Sequence, residues 1–231
     1  RLRVLPELVR LSELRELSEL AAGRAASGVR LGVGGPSLGT VTWDPGKLPH
    51  LTVVGQARSG VTTALRTVIA SIGAGTGTGA GAEGAGETVV LASDARRGLL
   101  GAPGYRSPAG FTEEVDRWVG TLTERIPGDA ASLTPQMLRD RSWWSGPDVV
   151  VVVDDLDHSA DLASAVDRLV PLLPHAADIG LHLVTGRRSA AMTRSSFTPL
   201  MQGVRDQTAW VLLSAPREDG PAAGQKLCPR A

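Results

Sequence analysis

The chain has 231 residues, 42% of them hydrophobic and 21% charged; that is enough apolar chain for one α/β domain and excludes a wholly disordered protein. Its 24 Lys and Arg balance its 24 Asp and Glu, which argues against a dedicated nucleic-acid binder, because such proteins carry a basic surplus. One cysteine, Cys228, excludes an intramolecular disulfide, and no Cys/His cluster has zinc-ligand spacing, so a reducing compartment is expected.

Residues 6–22 read as an amphipathic helix: Leu8, Leu11, Leu14 and Leu17 recur every three residues, and Pro6 suits a helix start. Residues 1–27 are therefore expected to be a linker with this helix, followed by one domain over 28–231. RLRVLPELVR at the start is too charged for a signal peptide. No apolar run reaches the roughly 20 residues that span a bilayer. The absence of an initiator Met and the abrupt end at Pro229-Arg230-Ala231 are the expected marks of a piece of a longer chain.

Short β-like pieces at 29–33 and 40–43 flank Gly34-Gly35-Pro36. Beyond residue 50, strands and helices alternate. Strands are expected at 51–54, 88–91, 149–153, 181–184 and 208–213, and helices at 61–72, 111–125, 134–139, 159–173 and 194–204. Nearly continuous Val, Leu and Ile strands separated by helices predict an α/β fold with a parallel sheet covered on both faces. The Gly-rich run 73–86 has no strand leading into it and reads as a surface loop, not a phosphate loop.

The chemistry concentrates where the first core strand turns into the first core helix. Gly55, Gln56, Ala57, Arg58, Ser59, Gly60, Val61, Thr62 and Thr63 follow the spacing GxxxxGK[ST], with Val61 in the lysine position. In such a loop, backbone amides curl around a phosphate at a helix N-terminus. Thr62 stands where a hydroxyl ligates Mg²⁺. The run 149–153 then ends in Asp154 and Asp155, the arrangement in which a carboxylate at the end of a strand holds the Mg²⁺ shell. Asp154 takes that role, and Asp155 stands at the position of a water-polarising acid. ATP and Mg²⁺ are therefore the expected ligands, bound weakly or not at all. Loss of a preorganised charge in phosphoryl transfer costs on the order of 10²–10³ in rate, so poor or absent hydrolysis is expected. Gly186-Arg187-Arg188, after the strand at 181–184, reads either as a cation facing the terminal phosphate or a neighbouring subunit, or as a pair of surface arginines. For Trp143 and Trp144, packing against the domain's own helices is favoured over an aromatic surface offered to a partner.

RSWWSGPD (141–148) leading into VVVVVDDLD, together with LPHLTVVGQARSGVTTALR (48–66), TERIPGDAASLTPQMLRDR (123–141) and DIGLHLVTGRRSAA (178–191), resembles the third ATPase domain of the EccC family. These are the FtsK/SpoIIIE-type motor proteins of type VII (ESX) secretion. The resemblance covers nearly the whole chain. It implies a RecA-like P-loop domain whose mainly parallel core sheet has the order 5-1-4-3-2. It also implies a cytoplasmic domain of a membrane-anchored protein, with preceding ATPase domains in the same chain, homo-oligomer formation and no nucleic-acid partner. The last domain of the family recognises the C-terminal signal of WXG100-type substrates. Export-substrate recognition by a degenerate ATPase domain is thus the expected function; an ATPase active only when assembled is the alternative.

Overall fold

The computed structural model describes residues 9–14, 28–34, 38–73, 88–128, 133–195 and 197–214. The helix expected over 6–22 is described only as a turn at 11–14, and the Gly-rich run and the end of the chain beyond 214, with Cys228, lie outside the described residues.

The β-branched runs form strands as the pattern requires. The elements in chain order are β1 (Val29–Gly34), β2 (Gly39–Trp43), β3 (His50–Gly55), α1 (Val61–Gly73), β4 (Thr88–Asp94), α2 (Pro108–Glu124), α3 (Pro135–Asp140) and β5 (Asp148–Asp154). They continue with α4 (Ala160–Asp167), α5 (Ala176–Ile179), β6 (Leu181–Arg188), α6 (Ser189–Ser195), α7 (Pro199–Val204) and β7 (Thr208–Leu213). Five strands make one parallel sheet in the order β4-β5-β6-β3-β7, which is the expected 5-1-4-3-2 arrangement. β1 and β2 form a separate antiparallel hairpin.

Both faces of the sheet are covered, which is why β5 reads as unbroken valine. Alternate side chains enter opposite layers. Val150 and Val152 pack with Leu65, Val68 and Ile69 of α1 and with Val29 and Trp43 of the hairpin. Val151 and Val153 pack with Phe111 and Val115 of α2 and Leu162 and Val166 of α4. Burial of each such side chain contributes about 1.5–3 kcal/mol. Ser71 of α1 ties the hairpin down by donating to the Arg30 carbonyl at 3.0 Å.

Several helices start on a Ser or Thr cap, and Pro follows the cap in α2, α3 and α7. The cap oxygen accepts an otherwise unpaired amide and Pro presets the first helical φ. Proline also corrects two expected helices. The segment 159–173 is helical only to Asp167; it continues as a 3-10 turn, Val170–His175, which contains Pro171 and Pro174. The segment 194–204 is divided, with Pro199 opening α7 behind the Thr198 cap. β6 runs on to Arg188, so Gly186, Arg187 and Arg188 belong to the strand rather than following it.

The RSWWSGPD run builds the junction beneath the N-terminal ends of β5 and β6. Trp143 Nε1 donates to the Arg125 carbonyl at 2.8 Å, and Trp144 Nε1 to the Asp178 carbonyl at 2.8 Å. The Arg125 guanidinium lies 4.0 Å from the Trp144 ring centre and donates to the carbonyls of Pro147 and Ile179 at 3.1 and 2.9 Å. Gly180 is required here: its φ is +72°, and a Cβ would stand 2.3 Å from Asp148 Oδ1 and 2.9 Å from Trp144 Cη2. Both tryptophans are half-buried against their own domain.

Candidate functional site

At the opposite end of the sheet, β3 runs into the loop at residues 55–60. Gly55 admits no side chain, because a Cβ would lie 2.1 Å from Ser59 Oγ and 2.8 Å from the Leu213 carbonyl. The loop then turns tightly. Ser59 N donates to the Gln56 carbonyl at 3.1 Å, while Arg58 and Gly60 have φ of 66° and 98°. A Cβ on Gly60 would meet nothing within 4 Å, so its backbone faces open space. α1 starts at Val61 and has no acidic residue of its own in its first turn, so the positive end of its dipole faces the pocket.

β5 delivers its acid to the same place. Thr62 Oγ1 donates to Asp154 Oδ2 at 2.5 Å, and Asp155 N donates to Asp154 Oδ1 at 2.9 Å. Burial raises the Asp154 pKa most; the nearby Asp155 and Asp94 charges also raise it, against the two hydrogen bonds that lower it. Gly186 of β6 leaves room for this carboxylate, because a Cβ there would be 2.3 Å from Asp154 Oδ1. A pocket of about 290 Å³ results, lined by residues 55–58 and 60–63, Asp154, Asp155, Arg187 and Arg188. Asp154, Asp155 and every residue of the 55–63 loop line it except Ser59, whose hydroxyl is buried in the loop without a hydrogen-bond partner among the described residues.

Val61 borders the pocket but also packs into the core: it lies against the apolar layer of α1, and a Cβ on Gly186 would be 3.0 Å from its Cγ1. Asp155 has a left-handed backbone with φ of 52°, and cations engage both of its oxygens. Arg188 Nε is 3.1 Å from Oδ1 and Arg96 Nε 3.0 Å from Oδ2. His158 Nδ1 lies 3.6 Å from Oδ1. Arg187 is buried against Asp157, with Nη2 to Oδ1 at 2.5 Å, and its Nη1 has no partner among the described residues. It is therefore not one of a pair of surface arginines.

Sequence reasoning missed Arg96 and Asp94. Asp94 ends β4 beside Asp154 on β5, accepts from Leu99 N at 2.9 Å and leaves Oδ1 buried and unpartnered. Its signal was readable, because Thr88–Asp94 is a second apolar strand that ends in an acid. Arg96 has no comparable local signal. A second pocket of about 470 Å³ shares Arg187 as a wall and has Leu156, Ala163, Pro199 and Leu200 on its apolar side. Among the described residues, no helix is long and apolar enough to cross a membrane.

No family model matches the chain. Curated relatives do match. The ESX-4 secretion system protein EccC4 of Mycobacterium tuberculosis is 40% identical over 187 residues, covering 78% of this chain and 14% of the relative. The ESX-1 protein EccCb1 of Mycolicibacterium smegmatis is 34% identical over 239 residues, covering 95% of this chain and 38% of the relative. The chain thus spans less than half the length of these relatives. Among solved structures, the cytoplasmic domain of the type VII secretion ATPase EccC of Thermomonospora curvata matches with a TM-score of 0.75 and 28% identity, over 94% of this chain and 25% of that one. ATPases 2 and 3 of the same protein, in complex with a signal sequence peptide, match with a TM-score of 0.74 and 27% identity, over 94% of this chain and 38% of that one. The chain is homologous to EccC of ESX secretion systems over most of its length and has the FtsK/SpoIIIE-like fold of the EccC cytoplasmic ATPase domains.

Proposed function

We propose that this domain binds Mg-ATP in the 55–63 loop without effective turnover and serves a type VII secretion motor as a module for recognising export substrates. The observation that carries the reading is Val61, an apolar side chain packed toward β6 where the loop pattern places a lysine. The rest of the site suits the ligand. Gly60 opens onto free space, the first turn of α1 carries no acid, and Ser59 Oγ and Asp94 Oδ1 are buried without partners. Thr62 and Asp154 would hold Mg²⁺, whose charge offsets that of the phosphates and favours the ionised form of Asp154.

On this reading the chain is a cytoplasmic domain of a membrane-anchored protein. It follows other ATPase domains in the same polypeptide and works in a homo-oligomer. The second pocket supports the recognition role, since its apolar wall suits a short hydrophobic segment. Its acids and the zero net charge give nucleic acid no footing. The test is calorimetric titration with a C-terminal signal peptide of a WXG100 protein, with and without Mg-ATP. Binding under at least one condition is expected, and Ala160→Glu at the pocket rim abolishes it. Absence of binding under both conditions overturns the recognition role. The alternative, an ATPase active only when assembled, draws on the retained Thr62–Asp154 pair. It requires phosphate release by the assembled protein that Asp154→Ala removes.

A further inference from the structure

The loop has no cation at position 61, yet three arginines line the pocket, and they are not equivalent. Arg58 sits on the exposed part of the loop with a left-handed backbone. Arg187 is only 3% exposed and committed to Asp157. Arg188 follows it by one residue, so strand alternation turns it to the other face of β6, the face where Gly186 meets Asp154, Val61 and Leu65. Its side chain is 36% exposed, and among the described residues its one ion pair is with Asp155 Oδ1 at 3.1 Å. Arg96 already covers the other oxygen of that carboxylate. Two guanidinium groups thus converge on one carboxylate at the pocket wall, so Asp155 keeps a cation partner when one of them leaves. A part-exposed pair of this kind is weak, whereas a guanidinium and a phosphate form a strong, forked contact.

Resting on the nucleotide-binding reading above, we infer that Arg188 supplies the cation the loop lacks, exchanging Asp155 for the terminal phosphate of a nucleoside triphosphate while Arg96 retains Asp155. Arg188 is then a specificity-determining residue. A triphosphate reaches it, and a diphosphate ends one phosphate short.

The test is calorimetric titration of the 231-residue chain with Mg-ATP and with Mg-ADP. The wild type prefers ATP. Arg188→Ala weakens ATP by about 10- to 100-fold, the scale of one charge-assisted hydrogen bond, and weakens ADP far less. Arg188→Lys restores part of the preference. Asp155→Asn, which removes the competing carboxylate, tightens ATP and keeps Arg188 folded in place, so it decides the matter if Arg188→Ala misfolds. Equal losses for ATP and ADP in Arg188→Ala overturn the inference. So does a preference that disappears in Arg58→Ala instead, or no tightening in Asp155→Asn. A wild type that binds neither nucleotide overturns the nucleotide-binding reading itself, and this inference with it.

Discussion

The two ends of the parallel sheet differ in what their polar side chains face. Below the N-terminal ends of β5 and β6, Trp143, Trp144 and Arg125 satisfy one another: both indole N–H groups donate to carbonyls, and the buried guanidinium has an aromatic face and two carbonyl acceptors. At the C-terminal ends, Ser59 Oγ, Asp94 Oδ1 and Arg187 Nη1 are buried without partners among the described residues, in or beside an open pocket. Buried polar groups left unpaired cost free energy and call for an explanation; these three lie in or beside the place where a ligand is proposed, whereas His50 Nε2 and His182 Nε2, also unpaired among the described residues, lie near the N-terminal ends of β3 and β6. The comparison also separates recognition from function. RSWWSGPD, the most distinctive run in the sequence, is scaffolding, while the less distinctive loop forms the pocket.

The comparison can be broken most forcefully at the junction. Arg125→Ala removes two charge-assisted hydrogen bonds and a cation–π contact, offset in part by the burial that lowers the Arg125 pKa. A loss of about 3 kcal/mol is expected, read as a drop of roughly 6–12 °C in Tm, with Mg-ATP affinity unchanged. A large change in affinity with little change in Tm would contradict the separation of the two ends.

At the pocket end the expected pattern is reversed. Val61→Lys places a cation in the loop and tightens Mg-ATP about 10- to 100-fold by calorimetry. Its Tm without nucleotide stays within a few degrees of the wild type, because Val61 is only half-buried.

The smallest effect belongs to Asp154→Asn. The folded-state pKa of Asp154 is raised, chiefly by burial. The folded protein therefore holds this proton more tightly than the unfolded chain. Asp154 costs no stability below the ordinary carboxylate pKa and progressively more as pH rises through the elevated folded value. Asp154→Asn is expected to raise Tm by a few degrees at neutral pH and to lose that advantage in acid, measured by thermal melts across pH. Mg²⁺-dependent nucleotide binding falls in the same variant.

Much of this architecture was legible because it is local. The valine run of β5 and the apolar stretches of β3, β4, β6 and β7 announce strands buried on both faces, and the loop spacing announces a strand-turn-helix. Proline positions were equally legible but were underweighted at Pro171, Pro174 and Pro199, where rigid φ and a missing N–H divide two helices. The ring of charge around Asp155 was not legible. Arg96 and Arg188 lie 59 and 33 residues away in the chain, and only the parallel register brings them together. The sequence leaves Arg187 open between two readings, and only the continuation of β6 through it, which turns it to Asp157, removes the surface reading.

The most direct test is steady-state phosphate release by the wild-type chain beside Asp154→Ala, at a Mg-ATP concentration that calorimetry shows to be saturating. The account predicts occupancy without turnover, with the two rates indistinguishable. A wild type that releases phosphate at about 1 s⁻¹ or faster, the lower end of ordinary enzyme turnover, and loses that activity in Asp154→Ala would contradict it.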